Sequence, residues 1–212
     1  MTQPDFIRTQ KLSCPRDDLP LFQPLDLRIQ RGEIWQISGP NGCGKTTLLH
    51  SLCTLFSDYE GEILWQGKSL RQPLPSYLAQ CCYIGHQAAL HPPLSARENL
   101  HFYRQLCSNP LEQPLNDILN TVGLYGFEDV PVQHLSAGQR RRVTLGRLLL
   151  ADTPLWILDE PFTAIDPQGI QWLLELFIRH SQQRGVVIFS SHHHLAGLPA
   201  NMHHLNLANF QP

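Results

Sequence analysis

Nine consecutive residues, Gly39-Pro40-Asn41-Gly42-Cys43-Gly44-Lys45-Thr46-Thr47, could hold a chain of phosphates. They fit G-x-x-x-x-G-K-[ST] at every required position. Glycines let the backbone curl until successive N–H groups face phosphate oxygens. A helix opening at Lys45 adds its positive N-terminal end. Lys45 is then placed for the β- and γ-phosphates, and the Thr46 hydroxyl for Mg²⁺. The chemistry implied is binding and cleavage of a nucleoside triphosphate.

A second constellation completes it. Asp159 and Glu160 follow Leu155-Trp156-Ile157-Leu158, so an apolar strand ends in two acids. Such a strand delivers its acids to the carboxyl edge of a sheet, where ligands of open α/β folds sit. Asp159 suits Mg²⁺, directly or through water, and Glu160 is placed to polarise an attacking water.

These groups need elements to hold them. Short apolar runs alternate with amphipathic stretches, the pattern of α/β proteins. Strands are expected at 34–38, 61–65, 81–85, 155–159 and 186–190, and helices at 45–55, 97–107, 115–122, 137–151 and 168–182. The runs 155–158 and 186–189 are apolar on both faces, the mark of a parallel sheet. Residues 88–134 are helical in pattern and proline-rich at their edges, and read as a helical lobe inserted into the core (1–87 and 135–212). Ser95 and Glu98 have capping-box spacing for a helix start there.

Bulk composition narrows the function class. The chain has 212 residues, with 16 Lys+Arg against 18 Asp+Glu, and lacks the basic surplus of a nucleic-acid binder. The spacing of its six cysteines fits neither a zinc module nor a disulfide scaffold, so reduced thiols and a cytoplasmic location are expected. The opening residues lack the apolar core of a signal peptide, and the longest apolar stretches, such as 145–158, are broken by charge. No C-x-x-C-H heme motif occurs.

Leu135-Ser136-Ala137-Gly138-Gln139, followed by three arginines, narrows the choice among phosphate-loop NTPases. Ser136 could N-cap a helix, and a capped helix end with free N–H groups is a second anion site. The segment resembles the LSGGQ signature of ABC ATPases, with Ala137 replacing the first glycine. Further matches follow in that family's order: Gln87 as the Q-loop glutamine, Ala164–Pro167 as the D-loop with Asp166 facing a partner, and His192 as the switch histidine. A histidine run, here 192–194, can also gather adventitious metal; only His192 falls at the end of a strand.

The resemblance implies an ABC ATPase fold, with a mostly parallel core sheet, an N-terminal antiparallel β region and the helical lobe. It also implies a homodimer formed on ATP binding. Lys45, Thr46, Gln87, Asp159, Glu160 and His192 of one subunit would then meet Ser136, Gly138, Gln139 and Asp166 of the other. ATP and Mg²⁺ are the implied cofactors. The family's adenine-stacking aromatic is missing: 23 residues before Gly39 stands Arg16. An arginine plane can also stack on a base, so Arg16 is the expected platform, against a solvent-facing loop arginine.

More specific wording is similar to the heme-export ATPases of cytochrome c maturation, the CcmA family. It lies in Pro154–Asp166, Tyr83–Gln87, Leu12-Ser13-Cys14 with Arg16-Asp17, and the LSAGQ form of the signature. That resemblance implies integral membrane permease partners and a place on the cytoplasmic face of the inner membrane. It leaves open whether heme itself moves or a loaded heme chaperone is released. The alternatives are an ABC ATPase for another substrate and a non-hydrolysing regulatory cassette; such cassettes typically lose the glutamate or the histidine, and both are present here.

Overall fold

The computed structural model describes residues 5–16, 19–192 and 201–211. In chain order the elements are β1 (Ile7–Ser13), β2 (Pro15–Arg16), β3 (Leu19–Pro20), β4 (Arg28–Ile29), β5 (Ile34–Ser38), α1 (Lys45–Leu52), β6 (Glu60–Trp65), β7 (Lys68–Ser69), α2 (Pro75–Leu78) and β8 (Cys81–Ile84). They continue with α3 (Ala96–Leu106), α4 (Leu115–Thr121), α5 (Ala137–Gly146), β9 (Leu155–Leu158), α6 (Pro167–Gln182), β10 (Val186–Ser190) and β11 (Met202–Asn206). Short 3₁₀ turns stand at Val132–His134, Arg147–Leu149 and Leu207–Phe210.

Five strands form a parallel sheet in the order β11-β5-β10-β9-β8. Side chains of β9 alternate between two apolar clusters. Leu155 and Ile157 join Leu48, Leu49 and Leu52 of α1 on one face. Trp156 and Leu158 join Leu173 and Phe177 of α6 on the other. In β10, Val186 and Ile188 divide from Val187 and Phe189 in the same way. Burial on both faces explains why these runs carry no polar alternation. A four-stranded antiparallel sheet, β4-β1-β6-β7, contributes Ile7, Ile29, Ile63 and Trp65 to the α1-side cluster.

Register decides where the chemistry goes. Ile37 lies beside Ser190, Phe189 beside Leu158, and Leu158 beside Ile84. The carboxyl ends of β5, β10, β9 and β8 are therefore level. The phosphate loop, Ser190 to His192, the acid pair and the segment to Gln87 leave the sheet side by side.

The stretch 88–134 carries helices α3 and α4 and, among the described residues, no strand beyond isolated bridges. Its apolar cluster joins Ala96, Leu100, Ile118 and Leu119 to Leu135, Val143 and Leu150, so α5 packs with the lobe. The Ser95 capping box forms: its hydroxyl accepts from Glu98 N–H at 3.2 Å while Glu98 accepts from Ser95 N–H at 2.8 Å.

Some boundaries differ from the sequence reading for local reasons. Helix α1 ends at Leu52 rather than 55, because Thr54 takes a left-handed backbone, φ 58°, that closes the last turn. The helix expected over 137–151 stops at Gly146, a poor helix former, and tightens into the 3₁₀ turn 147–149. Strand β11 was not anticipated: of its five residues only Leu205 is buried, leaving no pattern to read.

Candidate active site

The phosphate loop joins β5 to α1 as its pattern requires. Gly44 has φ 98°, and a Cβ there would come within 2.9 Å of the buried Phe22 ring. Glycine is needed on both counts. Lys45 is largely buried and folds back over the loop, its Nζ donating to Gly39 O at 2.8 Å and Pro40 O at 3.1 Å. The ammonium is thus held over the loop by two backbone carbonyls.

A groove of about 580 Å³ runs past the loop. Asn41, Gly42, Lys45, Thr46 and Thr47 line it together with Asp159 and Glu160, while Pro15, Leu21 and Phe56 give it an apolar lining. Phe56 supplies the groove with an aromatic side chain that the count back from Gly39 did not find. Arg16 contributes backbone to β2; its side chain lies outside the described residues.

Asp159 is 3% exposed, and both its carboxylate oxygens are engaged. The Thr46 hydroxyl donates to Oδ2 at 2.8 Å, and the Ser190 hydroxyl donates to Oδ1 at 2.6 Å. The same Ser190 oxygen accepts from Glu160 N–H at 2.8 Å. Glu160 has a left-handed backbone, φ 47°, and its Oε2 lies 3.0 Å from His192 Nδ1. Gln87 is exposed and lines an adjoining recess with Thr46, Asp159, His50 and Tyr83. Within that recess His50 and the Tyr83 hydroxyl are 2.8 Å apart. The structure therefore brings Lys45, Thr46, Gln87, Asp159, Glu160 and His192 to one sheet edge.

Arg141 supports this edge from below. The residue is 5% exposed, and its guanidinium donates to Gly85 O, Asp159 O, Glu160 O and Pro161 O. Burial pulls it down to about 10, against the opposing pull of the Asp159 and Glu160 carboxylates, so it stays cationic at neutral pH. Sequence reasoning missed Ser190 and Arg141 as site residues. One was read only as a strand end, the other as part of an arginine run.

The signature residues gather elsewhere. Ser136 caps α5 in a reciprocal box: its Oγ accepts from Gln139 N–H at 3.1 Å, and its own N–H donates to Gln139 Oε1 at 2.8 Å. Ser136, Gly138, Gln139 and Asp166 line a pocket of about 560 Å³ that shares no lining residue with the phosphate groove. Arg142 ties it together, donating to Asp166 Oδ1 and to Val122 O. That contact holds the Asp166 carboxyl below the usual carboxylate range. Among the described residues no cluster of three metal-ligating side chains occurs, and His193 and His194 lie outside those residues.

A phosphate loop facing an acid pair, with a capped signature helix on a helical lobe, defines an ATP-binding domain of the ABC class. The ABC transporter family matches residues 22–163. The chain is 44% identical over 206 residues to the "Cytochrome c biogenesis ATP-binding export protein CcmA" of Yersinia pestis, covering 97% of this chain and 94% of that protein. It is 46% identical over 187 residues to the protein of the same name from Escherichia coli K12, covering 88% and 89%. A solved structure, a putative ABC transporter ATP-binding protein from Pyrococcus furiosus, superposes with a TM-score of 0.82 at 25% identity, covering 97% and 99% of the two chains. The chain belongs to the ABC transporter family and, within it, to the CcmA proteins.

Proposed function

We propose that this protein is the ATP-hydrolysing subunit of a membrane complex that exports heme, or releases a heme-loaded chaperone, in cytochrome c maturation. The observation that carries the reading is its 44% identity, across 97% of its length, to a protein named for cytochrome c biogenesis export. Among the described residues no helix is long and apolar enough to cross a membrane. The export path would therefore belong to integral membrane permease subunits, with this chain docked on the cytoplasmic face of the inner membrane.

ATP would lie along the groove, its triphosphate on residues 39–47 and its base against the apolar lining. Lys45 would hold the β- and γ-phosphates. A hydroxyl and a carboxylate 2.8 Å apart, Thr46 and Asp159, are hard oxygen donors of the kind Mg²⁺ takes, with Gln87 beside them. Bound there, Mg²⁺ would neutralise charge on the phosphate oxygens. Glu160 would orient and polarise the attacking water, and His192, 3.0 Å away, would face the γ-phosphate.

The remaining contacts come from a second copy. The pocket of Ser136, Gly138, Gln139 and Asp166 is separate from the phosphate groove. One subunit's signature helix would close on the γ-phosphate held by the other. A head-to-tail homodimer would complete both positive cages at once.

Glu160→Gln keeps the shape and removes the base. It should bind ATP, turn over slowly and run as a dimer in size-exclusion chromatography with ATP and Mg²⁺. Wild-type turnover would refute the role of Glu160. Co-purification with membrane subunits and an assay of that complex for heme test the export reading; a complex that handles no heme would refute it.

A further inference from the structure

The three arginines after the signature have separate partners. Arg140 donates to Leu135 O at 2.6 Å, and Arg142 serves Val122 O and Asp166. Arg141 instead turns into the protein. Its Nη1 donates to Gly85 O at 2.9 Å, its Nη2 to Asp159 O at 3.0 Å and Glu160 O at 2.9 Å, and its Nε to Pro161 O at 3.3 Å. Burying a cation is costly, and an apolar side chain of similar size often serves simple packing as well. The choice of four backbone carbonyls calls for another reason.

Their location supplies it. Gly85 opens the segment to Gln87, and the other three carbonyls carry the acid loop. Glu160 is held from both ends of its own residue: Ser190 Oγ accepts its N–H, and Arg141 accepts nothing but donates to its carbonyl. Between them it keeps φ 47°, uncommon for a residue with a side chain and stable only where neighbours enforce it. Arg141 also sits on α5, which Ser136 caps. Five helical residues, about 7.5 Å of rise, join the signature hydroxyl to the guanidinium. Val143, two residues on, packs in the lobe cluster.

We propose that Arg141 is the positioning residue of the hydrolytic acid. It holds the Glu160 peptide in the conformation that aims the carboxylate. It also transmits movement of helix α5, when a partner engages the signature, to that peptide and to the start of the Gln87 segment. The inference rests on the reading of Glu160 as the group that polarises water.

The test uses the purified full chain with Arg141→Met, which keeps length without donors, and Arg141→Lys, which keeps charge without the guanidinium fork. Both should hold a non-hydrolysable ATP analogue, and show a KM for ATP, within about 2-fold of wild type. Their kcat, counted per analogue-binding molecule, should fall about 10- to 100-fold, as for groups that orient a reacting residue. Should Arg141→Met not fold, Arg141→Lys carries the same comparison. Added to Glu160→Gln, either change should lower residual turnover by less than about 2-fold, because its effect runs through Glu160. Losses that multiply in the double variant would overturn the inference. So would wild-type kcat in both Arg141 variants beside an inactive Glu160→Gln. Full turnover in Glu160→Gln alone would instead remove the reading beneath it.

Discussion

Ser190 meets both acids with one oxygen. Its hydroxyl donates to Asp159 Oδ1, and its lone pair takes Glu160 N–H, at a fully buried position. Ser190→Ala leaves that N–H without its acceptor and one carboxylate oxygen without its donor. The expected cost is about 1–3 kcal/mol of stability, read from the urea midpoint. ATPase activity should also need more Mg²⁺, since Asp159 loses one of its two restraints. An unchanged midpoint and Mg²⁺ titration would show that Ser190 does neither. Such residues were not legible along the chain. Lys45, Thr46, Asp159 and Glu160 could be named beforehand because phosphate and magnesium chemistry demands those types at those spacings. Ser190 and Arg141 act across strands and between helix and loop, where only the register brings them to the acids. Phe56 likewise reaches the groove from beyond the end of α1, outside every motif the sequence offers.

Elements were legible where burial left a strong pattern. Strands β9 and β10 are apolar on both faces and were found within a residue; β11, with one buried side chain, was not. Two element contacts carry predictions. A Cβ on Gly138 of α5 would lie 2.7 Å from Ala164 O, a backbone atom of a residue itself held at φ 63°. Gly138→Val must therefore push α5 and the segment before Asp166 apart. Turnover should fall about 100-fold through misplacement of the signature. Affinity for an ATP analogue should hold, because the phosphate groove is untouched; lost binding would contradict the separation of the two pockets. The second contact is His180 of α6, stacked 3.7 Å from Trp156 of β9. Burial pulls this imidazole down from 6.5 to about 4. As pH falls below 6.5, the unfolded chain takes a proton that the folded one refuses until about 4. Stability is then intact above that window, declines within it and levels off below. His180→Phe keeps a ring in place and should flatten the decline in urea midpoint between about pH 7.5 and about pH 5. An equal decline in both proteins would assign it to other groups.

At the scale of the whole molecule, the proposed dimer makes one chain the holder of two half-sites. The phosphate groove has Lys45 and the acids but no Ser136; the signature pocket has Ser136 and Gly138 but no phosphate cradle. If each ATP is shared head to tail, defects in the two halves must complement. Lys45→Ala spoils both sites of its own homodimer, and so does Gly138→Val. In a mixed dimer both defects fall on one composite site, and the other pairs an intact cradle with an intact signature. Statistical pairing at equal concentrations makes half the dimers mixed, each with one sound site, so about a quarter of wild-type ATPase activity should return. The restored rate should rise more steeply than linearly with protein concentration until the dimers saturate. If each subunit instead hydrolysed ATP alone, mixing two inactive variants would restore nothing at any concentration. Activity in the mixture is therefore a direct reading of whether the signature of one chain completes the phosphate site of another.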